Sequence, residues 1–285
     1  MFYPYGGGIA KVITEHLPNT EATAEVTAAS VDNLKFLKQG NSDLAFTMAD
    51  MAQDAVTGRD VFSDFGKVPV RTLAVLYSSY SHLVVRADAG ISSIADLRGR
   101  VVSTGAAGSG TTVIARRMLQ AAGLDPSRDI REQSLGVAQS VDAIKDGKID
   151  AFFWSGGLPT ASILDLASSI GLTARVLAND EVLPILKTQY GPTLYSRLVM
   201  PKSSYPGMIE DVGVVGVENV LVVNEAMEDE LAYDLTRVLF EKQKDLIAIH
   251  PEARHLSLSK AVEGSPAPFH PGAVRFYRER GTWNQ

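Results

Sequence analysis

The phrase Ser30-Val31-Asp32-Asn33-Leu34, followed by Gly40 and then Asp43-Leu44-Ala45-Phe46, recurs as Ser140-Val141-Asp142-Ala143-Ile144, Gly147 and Asp150-Ala151-Phe152-Phe153. A recurrence in fixed order constrains the fold more than any composition, because each copy specifies one helix and the strand that follows it. In both, a serine able to cap precedes a helical pattern, a glycine can end it, and an apolar run comes next. The first helix is expected to be about one turn longer than the second. The copies also match upstream, where Gly6-Gly7-Gly8 precedes the helical pattern of residues 9–16 much as Gly108-Ser109-Gly110 precedes that of residues 111–122. In the second copy a strand, Val101-Val102-Ser103-Thr104, leads into the glycine turn; in the first copy that place lies ahead of Met1. One leading strand is therefore expected to be missing from the first copy.

Short apolar strands alternating with amphipathic helices imply an α/β fold with mostly parallel sheets, and two copies imply two similar lobes. Between the copies lie two strand patterns, residues 73–77 and 82–86, and a short helix over residues 93–97; after the second come a helix over 159–169, a strand over 174–177 and a helical stretch ending near Tyr190. Residues 214–223 read as a strand, and Asn224 is placed to cap a long acidic-fronted helix that stops near His250-Pro251. The expected division is lobe 1 over residues 1–87 and 214–285 and lobe 2 over residues 88–213, the chain crossing twice.

A chain of 285 residues, 45% hydrophobic, can bury a sizeable core. Its formal charge of −6 argues against a nucleic-acid partner, which would need clustered Lys and Arg. Cysteine is absent, which removes disulfides, thiol nucleophiles and thiolate metal sites together. No apolar run reaches the roughly 18 residues of a membrane span, and the opening residues show neither a charged nor an apolar leader segment. A soluble chain whose start is truncated is the expectation. The histidines, His16, His82, His250, His255 and His270, show no metal-ligand spacing, and neither Gly-x-Ser-x-Gly nor a Walker A loop occurs. We therefore expect no metal, no cofactor and no catalysis.

Several phrases together carry a family resemblance: Phe2-Tyr3-Pro4-Tyr5-Gly6-Gly7, Ser30-Val31-Asp32-Asn33-Leu34, Asp43-Leu44-Ala45-Phe46, Gly105-Ala106-Ala107-Gly108-Ser109-Gly110-Thr111, Asp150-Ala151-Phe152-Phe153 and His270-Pro271-Gly272-Ala273. Over nearly its whole length the chain resembles the TAXI-type solute receptors of tripartite ATP-independent periplasmic (TRAP) transporters. The resemblance implies a two-lobed periplasmic-binding-protein architecture of type II, a monomer that holds a small organic anion or amino acid, such as glutamate, in an interlobe cleft and delivers it to TRAP-type membrane subunits. The signal peptide and the glycine-containing first strand of that family are not found ahead of Phe2. A ligand-sensing protein for a signalling receptor and an enzyme of small-carboxylate metabolism are the alternatives.

Within that reading, residues 105–112 should open a helix with converging backbone N–H groups, Gly110 among them, and the hydroxyls of Ser109, Thr111 and Thr112, an arrangement that attracts anions. Ser30, with Val31 behind it, and Ser140 should expose two further helix starts. Tyr3, Tyr77 and Trp154 stand at or just beyond strand ends, where their rings can cover a ligand and each donate one hydrogen bond, with Gly156 beside the last. Asp50, beside Met48 in the loop after the first-copy strand, is a candidate to receive a ligand ammonium, although a solvated loop carboxylate is its plainer reading. His270-Pro271-Gly272 is expected to form a turn.

Overall fold

The computed structural model describes residues 2–169 and 174–283. The chain folds into two compact units, Met1–Ser78 with Glu218–Gln285, and Ser79–Val217. Both crossings fall inside long strands, so the divisions lie at 78/79 and 217/218 rather than at the 87/88 and 213/214 expected.

The first unit begins with α1 (Phe2–His16), then α2 (Ser30–Gln39), β1 (Leu44–Met48) and α3 (Ala49–Thr57). The glycine triplet does not precede the first helix; it lies inside it. A Cβ on Gly8 would stand 3.2 Å from the Ile249 side chain, so glycine lets that side chain pack close against the helix. Tertiary contact thus overrides the low helix propensity of glycine. The two strand patterns at 73–77 and 82–86 are one strand, β2 (Val70–Arg86), which enters the second unit.

The second unit continues with β3 (Val101–Ser103), α4 (Gly110–Ala121), β4 (Arg131–Gln133), α5 (Val137–Lys145), β5 (Ala151–Gly156), α6 (Ala161–Ala167), β6 (Ala174–Leu177), α7 (Leu183–Tyr190) and β7 (Ser196–Met200). There β3 runs parallel to both β4 and β5, while β5 and β6 pair antiparallel with the distal half of β2. Val84, Val141, Ile144, Phe152, Ile163, Leu166, Met200 and Val214 form its core. Asn179 is a buried clamp in this unit: its Nδ2 donates to Ser81 O at 2.7 Å and its Oδ1 accepts from Val215 N at 2.8 Å.

The chain returns along β8 (Val212–Asn224), whose first half pairs antiparallel with β7 and whose second half pairs antiparallel with β1. The first unit is completed by α8 (Asp229–Glu241), α9 (Gln243–Ile249) and α10 (Pro271–Glu279). Its core gathers Ile9, Val12 and Ile13 of α1 with Leu73, Leu76, Leu221, Leu235, Leu239 and Phe276. The long helix expected after Asn224 is two helices, and the first starts at Asp229. Asn224 instead closes a turn, its Oδ1 accepting from Ala226 N at 3.0 Å.

His270-Pro271-Gly272 is a helix start, not a turn. His270 Nδ1 caps α10 by accepting from Gly272 N, and its Nε2 donates to Met227 O at 3.0 Å. Proline at the first helical position fits because its missing N–H would have had no partner there.

The two echoed phrases occupy corresponding places. In the first unit β1 follows α2 and pairs with a crossing strand; in the second, β5 follows α5 and pairs with the other crossing strand. The units differ at the next position: β5 has β3 parallel at its other edge, whereas β1 there meets side chains of α2. Asn33 Nδ2 donates to Phe46 O at 2.8 Å, and Ser30 Oγ accepts from Met48 N at 3.1 Å.

Candidate functional site

In the second unit the turn from β3 into α4 is shaped by Gly105 and Gly108 at φ of 109° and 79°. A Cβ on Gly105 would come within 2.8 Å of Thr111 Cγ2, so both its backbone angle and its surroundings demand glycine. Ser109 is the N-cap of α4, its Oγ accepting from Thr112 N at 3.2 Å. Thr112 Oγ1 donates back to Ala106 O at 2.7 Å. Thr111 Oγ1 accepts from Ser155 N at 3.3 Å, and Ser155 Oγ lies 3.4 Å from Ser81 Oγ. Five hydroxyls, those of Ser81, Ser109, Thr111, Thr112 and Ser155, therefore converge beside the positive end of a helix of 12 residues. Gly110, the first residue of that helix, is buried with them.

Ser140 does not open a helix. It is the fourth residue of α5 and fully buried, bridging Oγ to Oγ with Ser103 at 2.8 Å. The start of α5 is closed instead by the Gln139 side chain, which accepts from Gly136 N at 3.1 Å. Trp154 is partly buried, and its indole N–H donates to Thr160 Oγ1 at 2.9 Å, so the hydrogen bond expected to go to a ligand is made within the protein. Gly156 permits that ring position, because a Cβ there would lie 2.7 Å from Trp154 Nε1.

Beneath this surface His82 joins the strand ends to the loop before α6. Its Nδ1 is 2.9 Å from Tyr80 O and 3.3 Å from Trp154 O, which assigns the proton to Nδ1. Its Nε2 then accepts from the Tyr205 hydroxyl at 2.8 Å, and that hydroxyl accepts from Thr160 N at 3.0 Å. Burial lowers the His82 pKa to about 4. Below the ordinary histidine value the unfolded chain takes up a proton that the folded chain refuses, so stability falls as the pH drops from about 6.5 to about 4. The loss approaches about 3 kcal/mol. Urea denaturation at pH 7 and pH 4.5 should show it, and His82→Gln should flatten the dependence on pH; an unchanged dependence would assign the acid sensitivity elsewhere.

In the first unit Ser30 is buried at the first position of α2 rather than capping it; Ala29 holds the cap position at φ 91°. Val31 and Met48 are buried beside it. Asp50 is not a solvated loop residue: it lies fully buried in the first turn of α3, and its Oδ1 accepts from Met51 N at 2.9 Å. Tyr3 is half-exposed, whereas Tyr77 is buried in the core.

Sequence reasoning missed a polar cluster around Tyr77. Tyr5 of α1 packs with its ring 6.2 Å from Tyr77 and lies flat on His250 at 5.2 Å. His250 Nδ1 accepts from Glu252 N at 3.3 Å, and Glu252 is itself buried. Tyr5 was visible in the sequence in an aromatic run and Tyr77 at a strand end, but nothing local links them to each other or to residues near the other end of the chain.

Among the described residues, no group of three or more acidic or histidine side chains could hold a metal ion, and no helix is long and apolar enough to cross a membrane.

The profile of the NMT1-like family matches residues 1–281, and the chain belongs to that family. Its fold is that of the two-lobed periplasmic binding proteins. The periplasmic aliphatic sulphonate-binding protein SsuA of Escherichia coli is similar at TM-score 0.53 and 16% identity, over 97% of this chain and 79% of that one. The alkanesulfonate-binding protein SsuA of Xanthomonas axonopodis pv. citri, bound to MOPS, gives 0.52 and 16% over 97% and 88%. A binding-protein component of an ABC phosphonate transporter from Pseudomonas aeruginosa gives 0.53 and 11% over 88% and 72%.

Proposed function

We propose that the protein is an extracytoplasmic solute-binding protein that captures a small carboxylate or amino acid and releases it, unchanged, to membrane transport subunits. The observation that carries this reading is the hydroxyl-lined start of α4, where Ser109, Thr111 and Thr112 surround backbone N–H groups at the positive end of the helix. Such a start favours an anionic group without needing a fixed positive side chain. The similar structures are named for sulphonates and for a phosphonate transporter, which supports an anionic ligand here. The phrases shared with TAXI-type receptors favour TRAP-type membrane subunits as the partner and a periplasmic location.

Two strands, β2 and β8, pass unbroken from one unit to the other and suit the hinge that such a protein uses on taking up a solute. Titration calorimetry with glutamate, other small carboxylates, neutral amino acids and sugars is the test. One site per chain for a carboxylate-bearing solute is expected; preference for an uncharged sugar, or steady formation of product, would contradict the reading.

A further inference from the structure

In the second unit, His82 of β2, Trp154 of β5, Thr160 before α6 and Tyr205 after β7 form a closed hydrogen-bond circuit in which each donates to the next. His82 Nδ1–H donates to Trp154 O at 3.3 Å, and Trp154 Nε1–H to Thr160 Oγ1 at 2.9 Å. Thr160 N–H then donates to the Tyr205 oxygen at 3.0 Å, and the Tyr205 hydroxyl to His82 Nε2 at 2.8 Å. Burial lowers the His82 pKa, so at neutral pH Nε2 stays an acceptor. His82, Thr160 and Tyr205 are all buried, and opening the circuit leaves a buried donor or acceptor without its partner. Bonds that all run in one direction also strengthen one another.

The circuit stands in place of a helix cap. Thr160 occupies the N-cap position of α6, where a threonine hydroxyl ordinarily accepts from the helix's own backbone, yet it makes no such bond. Its hydroxyl accepts from Trp154 and donates to Gly157 O at 3.1 Å, which ties the end of β5 to the loop that follows. Beside Trp154 on that strand end is Ser155, whose N–H donates to Thr111 Oγ1 at 3.3 Å. Across β2 and β5, His82 pairs with Trp154 and Ser81 with Ser155, so the circuit and the Thr111 contact are held by adjacent residue pairs of one ladder. The Ser155 N–H occupies one lone pair of the Thr111 hydroxyl and so limits the directions in which its proton points.

We propose that His82, Thr160 and Tyr205 are positioning residues for the solute: their circuit with Trp154 fixes the end of β5, and through Ser155 N–H it aims the Thr111 hydroxyl at the bound carboxylate. The proposal rests on the solute-binding reading above, with the start of α4 as the anion site. None of the three touches the solute. They act by holding Thr111 ready before the solute arrives, which removes an ordering cost from binding.

Calorimetry at pH 7 with glutamate, glutarate and leucine tests it on the wild type, Tyr205→Phe, Thr111→Val and the double variant. For the acid that binds the wild type, Tyr205→Phe should weaken binding about tenfold. In Thr111→Val, itself about tenfold weaker, adding Tyr205→Phe should change affinity by less than about twofold, because the hydroxyl it positions is gone. A role confined to stability would lower the melting temperature in both backgrounds and leave both affinities alone. Thr160→Val opens the circuit at another point while keeping the side chain's shape, and it should give the same pattern even where Tyr205→Phe does not fold. Affinity unchanged by Tyr205→Phe or Thr160→Val, or losses that multiply to about a hundredfold in the double variant, overturns the positioning role while leaving solute binding intact. Failure of every acid to bind the wild type overturns both readings.

Discussion

Gly272→Ala should lower the free energy of unfolding by about 3 kcal/mol, among the largest losses any single methyl can cause in this chain. Gly272 sits in the first turn of α10 where that helix crosses α8, and a Cβ would stand 2.1 Å from Asp229 O and 2.8 Å from Tyr233 N. Both obstacles are backbone atoms, so no side-chain rotation relieves the clash; one helix must move. Phe276 and Tyr277 on α10 pack into the same core as Leu235 and Leu239 on α8, and any shift disturbs that contact. Urea denaturation should show a lower midpoint with an unchanged slope. A loss below about 0.5 kcal/mol would mean that the helices separate freely, contrary to this packing.

The second large effect concerns binding. Replacing Ser109, Thr111 and Thr112 together with alanine should weaken the carboxylate-bearing solute at least about a hundredfold, since a hydrogen bond to a charged group contributes roughly 1.5 to 3 kcal/mol. The three hydroxyls are not equivalent. Ser109 and Thr112 are engaged in closing the helix start, so Ser109→Ala should cost about 1 kcal/mol of stability with or without ligand. Thr111 Oγ1 accepts from Ser155 N and donates to no acceptor among the described residues, so its proton is the one free for the solute. Thr111→Val, which keeps the shape, should reduce affinity about tenfold with little change in melting temperature. An unchanged dissociation constant in the triple variant would remove the start of α4 from the binding site.

The repeat was legible because helix, terminating glycine and apolar strand follow one another locally in both copies, and Gly40 and Gly147 do end their helices at positive φ. What misled were residues whose role depends on distant neighbours. A Gly-Gly-Gly run ordinarily punctuates, yet Gly8 lies within α1, packed closely against the Ile249 side chain. Ser140 has the cap signature but lies one turn inside α5, where its partner is Ser103 on a neighbouring strand. Asp50 follows a strand and reads as a loop residue until α3 is seen to start at Ala49. The Tyr5, Tyr77 and Glu252 cluster draws on α1, β2 and the segment after α9, a juxtaposition no local pattern encodes.

The central claim, capture of a small solute without conversion, is tested most directly by native mass spectrometry of the protein purified under gentle conditions. One adduct of amino-acid size per chain, released intact on denaturation and recovered unaltered after incubation with fresh protein, is the predicted result. A released compound that the protein converts to a second species would contradict the claim.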